Sequence, residues 1–249
     1  MRFASLGSGS GGNGLVIEAG GTRVLMDCGF GLADSVARLG LQASDLAGIV
    51  VTHEHSDHIG GVGRLARRHG LPVWLTAGTL AMAQDLAGVA VQVIDGHAAF
   101  AVDELEIQPF PVPHDAREPV QYVFGDGNRR LGVLTDTGSD TPHIEAMLTG
   151  VDALVLECNH DAAMLENGPY PTGLKRRVGG YFGHLENGQS AALLDRLKHD
   201  KLQCVMAAHV SRKNNTAALA RRALAQVLNC ADDEVRVACQ TTGFDWIRI

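Results

Sequence analysis

A chain of 249 residues, 45% hydrophobic and 20% charged, can bury one large core or two small ones, and with 5% aromatics that core is built of Val, Leu, Ala and Ile. The formal net charge of −7 argues against a general nucleic-acid coater, whose phosphate affinity rests on Lys and Arg, while leaving room for a local basic groove. The five scattered cysteines form no CxxC pair, the opening MRFASLGSGSGGNG lacks a signal-like apolar stretch, and no apolar run approaches about 18 residues, so the expectation is a soluble cytoplasmic protein without a disulfide framework or membrane span.

In chain order, GLVIEA and TRVLMD flank Gly20-Gly21 as a hairpin, and LAGIVVT reads as a buried strand. HIGGVGRLARRHG carries Ile59, Val62 and Leu65 on one helical face, LPVWLT is a strand, and GTLAMAQDLAG is a short helix ended by Gly88. VAVQVI, LEIQPFPV and VQYVFGD are expected in a second sheet. GNRRLGVLTDTG is a turn followed by a strand, and SDTPHIEAMLTG a helix capped by Ser139 or Asp140 and followed by Gly150. VDALVLEC is a strand, Asn159 to Gly183 is irregular, and ENGQSAALLDRLKHD, LQCVMAAH and NTAALARRALAQVL read as helix, strand and helix. The pattern fits two α/β halves packed sheet on sheet, with other α/β topologies open.

VTHEHSDHIGG crowds His53, His55, Asp57 and His58 behind the apolar Ile49, Val50 and Val51. At the carboxyl end of a buried strand, where α/β sheets gather their ligands, four such donors cannot easily share one ion with open tetrahedral geometry. They divide readily between two ions, and a metal pair is a standard device for activating water. A divided site calls for further donors, a bridging carboxylate among them. His114 after IQPFPVP, Asp136 after LGVLT and His209 after CVMAA stand in matching strand-end positions. Imidazole with carboxylate suits zinc, iron or manganese.

This set, with LGSGSGGN, VLMDCG, LVLECNHD, GHLENGQS and AHVSRKNNT, resembles the metallo-β-lactamase fold hydrolases, and within them the YycJ-type branch near cyclic phosphodiesterases and tRNA-processing RNases. The resemblance covers nearly the whole chain. It implies a single domain over residues 1–249, an α/β four-layer αββα sandwich, and two divalent metal ions, zinc or manganese. It assigns His53, His55 and His114 to one ion, Asp57, His58 and His209 to the other, Asp136 as the bridge, and Asp27 as the residue supporting the histidine loop. Glu186 stands in GHLEN where the branch is expected to carry Ser, so the helix start there is expected to differ.

The implied reaction is phosphodiester hydrolysis, as a nuclease of 5′-to-3′ exonuclease type on DNA. Asp57 and His184 are the catalytic candidates, His184 to serve the leaving oxygen, with His160 second to it. Arg212, Lys213 and Asn214 are expected to hold flanking phosphates, as is the run Lys175, Arg176 and Arg177. The glycine-rich opening lacks G-x-x-x-x-G-K-[ST] and reads as a tight loop at the site rim, with Ser8, Ser10 or Asn13 lending polar groups. Two alternatives stay open: a small-molecule cyclic phosphodiesterase, and a non-catalytic binding protein that keeps the fold. Monomer and homodimer are equally compatible with the sequence.

Overall fold

The computed structural model describes residues 1–249, the side chain of Leu39 excepted. Among the described residues the strands are β1 (Arg2–Gly7), β2 (Gly14–Ala19), β3 (Thr22–Met26), β4 (Gly48–Val50), β5 (Val73–Thr76), β6 (Val91–Ile94), β7 (Phe100–Val102), β8 (Leu105–Pro111), β9 (Val120–Gly125), β10 (Arg130–Leu134), β11 (Ala153–Glu157), β12 (Cys204–Ala208), β13 (Arg236–Val237) and β14 (Phe244–Arg248). The helices are α1 (Leu32–Leu39), α2 (Ser56–Ile59), α3 (Val62–His69), α4 (Ala77–Met82), α5 (Pro142–Leu148), α6 (Ala162–Asn167), α7 (Thr172–Val178), α8 (Asn187–Leu197) and α9 (Ala217–Leu228). None is long and apolar enough to cross a membrane.

The strands form two seven-stranded sheets, ordered β14-β1-β2-β3-β4-β5-β6 and β13-β12-β11-β10-β9-β8-β7. Each is antiparallel on one side and parallel on the other, the changes falling at β3 and β10. Side-chain alternation sorts every strand into two faces. From β3, Val24 and Met26 enter the layer between the sheets while Leu25 faces outward, and from β11, Ala153 and Val155 face in while Leu154 and Leu156 face out. Outward residues of the first sheet pack with Val62, Leu65 and Ala66 of α3. Those of the second pack with Ile144 and Leu148 of α5, Leu193, Leu194 and Leu197 of α8, and Leu224 of α9. The result is a four-layer αββα sandwich.

The GLVIEA–TRVLM hairpin pairs as expected, Leu15 opposite Met26 and Ala19 opposite Thr22. Elsewhere tertiary contacts override local pattern. The glycine-rich segment is a loop as expected, with β1 before it, whereas β6, expected in the second sheet, pairs in parallel with β5 in the first. The helix expected after His58 is divided into α2 and α3. A Cβ on Gly61 would lie 1.9 Å from the Phe30 carbonyl, so the chain turns there on a residue only glycine can supply. α4 ends at Met82, followed by Ala83 as its cap, rather than at Gly88, and the cap of α5 is Thr141, whose side chain accepts from Ile144 N, with Pro142 in the first turn. The segment expected to be irregular holds α6 and α7, their starts set by Asp161 and Pro171.

Candidate metal centre

The parallel halves of both sheets aim their carboxyl ends at one place. β3 runs into Asp27, β4 into Thr52 and His53, β10 into Asp136, β11 ends on Glu157, and β12 runs into His209. The sheets are tied beside this point by Tyr122 Oη, which donates to Val51 O at 2.7 Å, and by Val120 N, which donates to Thr52 O at 3.1 Å. Asp27, Asp136 and His209 have φ of 61°, 53° and 52°, left-handed backbone that side chains other than glycine rarely adopt and that clusters at functional sites.

Four rings are each fixed through Nδ1. His58 Nδ1 donates to Asp27 Oδ2 at 2.8 Å. The Thr52 hydroxyl also donates to Asp27 Oδ2 at 2.9 Å, so it accepts from His53 Nδ1 at 2.9 Å. His114 Nδ1 donates to Gly183 O at 3.0 Å, and His209 Nδ1 to Glu157 Oε1 at 3.2 Å. Ties of this kind settle tautomer and orientation in metal-binding histidines and leave Nε2 to face the ion. The glycine-rich loop secures the other side. Asn13 N donates to Asp57 O at 2.8 Å, Asn13 Nδ2 lies 3.1 Å from His58 Nε2, and Ser8 Oγ accepts from His209 N at 2.9 Å. Gly29 permits this closure, because a Cβ there would lie 1.8 Å from Asp57 O.

Potential donor atoms of His53, His55 and His114 lie within 4.8 Å of one another, as do those of Asp57, His58 and His209. Asp136 joins His53 with His58 in one such group and His209 with His184 and Glu157 in another, which places it between the two triads. His53, His58, Asp136 and His209 are all 2% exposed or less. Within this buried set, His53 Nε2, Asp136 Oδ2 and His209 Nε2 have no hydrogen-bond partner. Orphaned polar atoms of this kind cost free energy, and their convergence fits a site built for cations.

The electrostatics agree. Burial opposes charge on His58, but Asp136 and Asp27 outweigh it and hold its pKa well above the ordinary 6.5. His209 is raised to about 10 in the same way, burial being overcome chiefly by Asp136. Burial and the neighbouring His58 push His53 well below its ordinary value. Asp136 stays ionised against its own burial because His209 and His58 face it. The buried carboxylates thus draw positive charge onto the centre, a demand that a divalent cation would meet in place of the protons on His58 and His209.

The cluster opens into a cleft of about 350 Å³ that also exposes His184. His184 Nδ1 donates to Glu157 Oε1 at 2.8 Å. Glu157 is the functional candidate that sequence reasoning missed. It is fully buried, its Oε1 serves His184 and His209, and its Oε2 accepts from the amides of Thr137 and Leu185 at 3.0 and 3.2 Å. The available signal was a carboxylate ending the five-residue apolar strand of LVLEC.

Other candidates fall outside the cluster. His160 is 4% exposed and its backbone bridges Glu186, so it does not share the His184 position. Asn214, expected to hold substrate phosphate, is fully buried and does not line the cleft, so its side chain does not reach substrate in this structure; its Oδ1 and Nδ2 have no hydrogen-bond partner. Arg212 is exposed, and the Lys213 ammonium sits 5.7 Å from the Tyr170 ring centroid. In the basic run, Arg177 pairs with Asp115 at the cleft mouth and Lys175 Nζ donates to Glu166 O. Glu186 starts α8 nonetheless, its amide donating to Gln189 Oε1 at 3.0 Å.

An αββα sandwich whose strand ends converge on an H-x-H-x-D-H loop and three further His/Asp donors is the architecture of the metallo-β-lactamase fold. The chain belongs to the β-lactamase superfamily, whose domain model matches residues 22–206. It is 37% identical to exodeoxyribonuclease YycJ of Bacillus anthracis, over 92% of this chain and 89% of that one. It is 29% identical to exodeoxyribonuclease WalJ of Streptococcus pneumoniae, over 93% and 90%. The crystal structure of the metallo-β-lactamase fold protein YhfI from Bacillus subtilis superposes with a TM-score of 0.77 at 17% identity, covering 99% of this chain and 98% of that one.

Proposed function

We propose that this protein is a metal-dependent phosphodiesterase that degrades DNA as an exonuclease. One observation carries the reading: likeness to two exodeoxyribonucleases over nine-tenths of the chain coincides with a buried His/Asp cluster at the floor of an open cleft. His53, His55 and His114 would hold one divalent ion, Asp57, His58 and His209 the other, with Asp136 between them. The donors suit zinc or manganese. When bound, such a pair supplies Lewis-acid charge and a water activated near neutral pH.

The chain's own residues do the rest. Asp27, Thr52, Gly183 and Glu157 keep four histidine rings in register. His184 engages Glu157 through Nδ1–H, so a proton for the departing oxygen would come from Nε2–H of the doubly protonated ring, which would return to the neutral Nδ1–H form held by Glu157. Arg212, next to the cleft-lining Ser211, and Lys213, beside Tyr170, would contact flanking phosphates.

The test is metal analysis of the purified protein, then labelled single- and double-stranded DNA blocked at either end, RNA, and cyclic nucleotides. Two ions per chain and processive shortening of DNA with an open 5′ end are expected. Cleavage confined to cyclic nucleotides would move the assignment to the small-molecule class, and inertness of metal-loaded protein toward every phosphodiester would support a binding role.

A further inference from the structure

The α7 helix has no buried residue, unusual for a helix beside an active cleft, and its apolar side chains are not spent on the core. Tyr170, just before it, and Leu174 and Val178, one turn apart on it, all line the cleft above the His/Asp floor. The same cleft receives Arg177, paired with Asp115, and the Lys213 ammonium lies over one face of the Tyr170 ring, 5.7 Å from its centroid, which leaves the opposite face for a second stacking partner. An apolar, aromatic wall thus rises from a phosphate-directed floor between two cations.

We infer that this wall seats the nucleobase of the nucleotide next to the scissile phosphate, with Tyr170 as the stacking residue that sets substrate class. The inference rests on the DNA-exonuclease reading and deepens it. A cleft of about 350 Å³ lies at the small end of ligand sites, room for one nucleotide rather than for a duplex. The Lys213 ammonium beside the Tyr170 ring favours an anionic occupant over an apolar peptide or lipid chain, while the charge of Arg177 is already answered by Asp115. A base paired within a duplex cannot turn its face onto the wall, so the substrate end is single-stranded or frayed. Stacking on an aromatic face tolerates any base, as an enzyme that shortens DNA without regard to sequence requires.

The experiment compares single-stranded oligonucleotides that carry either a normal or an abasic terminal nucleotide, hydrolysed by wild type, Tyr170→Ala and Tyr170→Phe, with bis(p-nitrophenyl) phosphate as a substrate that has no base. Wild type should show a KM about tenfold lower for the normal end, with kcat changed far less. Tyr170→Ala should erase that preference, while Tyr170→Phe, which keeps the ring, should restore it. Indifference of wild type to the terminal base, or full discrimination by Tyr170→Ala, overturns the wall alone. Wild type that hydrolyses bis(p-nitrophenyl) phosphate but no DNA overturns the wall together with the DNA reading.

Discussion

The two sheets supply the site in opposite ways. The first delivers Asp27, His53, His55, Asp57 and His58 from two neighbouring strand ends, clipped by short backbone bonds: Asp27 N to Val50 O at 2.9 Å and Cys28 N to His58 O at 2.7 Å. The second delivers His114, Asp136, Glu157, His184 and His209 from separate connections, spaced by the register of β8 to β12. One half is a local clip and the other is the product of a whole sheet. Damage to the clip should therefore be confined, whereas damage where the halves meet should be felt by both.

Asp136 is that meeting point, and its replacement should have the largest effect. Asp136→Asn should lower hydrolysis of bis(p-nitrophenyl) phosphate by about 10³-fold or more, the scale of losing a preorganised charge-stabilising group, and reduce metal content from two ions toward one. Full activity in metal-replete protein would remove Asp136 from the site. Next comes His184→Ala, expected to slow turnover by about 10²-fold with metal content intact. Glu157→Gln should follow the same pattern more mildly, and an unchanged rate in both would exclude the pair from proton transfer.

On the clip side, Gly29→Ala should cost stability before chemistry. The added Cβ meets the Asp57 carbonyl, and overpacking of this kind lowers Tm by about 5 °C in a chain of this size. A melting curve superimposable on wild type would show that the loop yields freely.

Glu18, in the first sheet and remote from the site, gives the smallest effect. Its hydrogen bond to Arg2 foremost, opposed by burial and aided by Arg23, lowers its pKa from 4.5 to about 2. A depressed folded-state value means that the contribution is complete above pH 4.5 and is lost as pH falls through about 2. Urea midpoints should fall slightly more for wild type than for Glu18→Gln between pH 6 and pH 3, and parallel losses would assign the pair no part in acid stability.

The same asymmetry governs what the sequence discloses. His53 to His58 occupy six consecutive positions after a greasy strand, so their chemistry is visible without any fold. Asp136 and His209 are visible only as strand ends, and their partnership depends on sheet pairing that no local pattern encodes. Glu157 was overlooked because a carboxylate closing an apolar run looks like an ordinary exit to solvent, yet it is wholly buried. β6 shows the limit for architecture: its composition announces a strand, but only packing decides which sheet takes it. Gly and Pro around PYPTGLKRRVGG hid α7, which starts after Pro171 and buries no residue, so no apolar stripe marked it in the sequence.

The left-handed backbone at positions 27, 136 and 209 has a consequence for anyone breeding a hardier version of this molecule. Glycine at any of the three would relieve the local backbone tension, but at position 136 it would also strip His58 and His209 of the buried carboxylate that faces them, and at position 27 it would leave His58 Nδ1 and the Thr52 hydroxyl without their acceptor. Local strain and overall durability are therefore uncoupled at these positions: a screen for heat tolerance alone would not choose Asp136→Gly or His209→Gly, because the unpaired buried charge left behind outweighs the relaxed backbone.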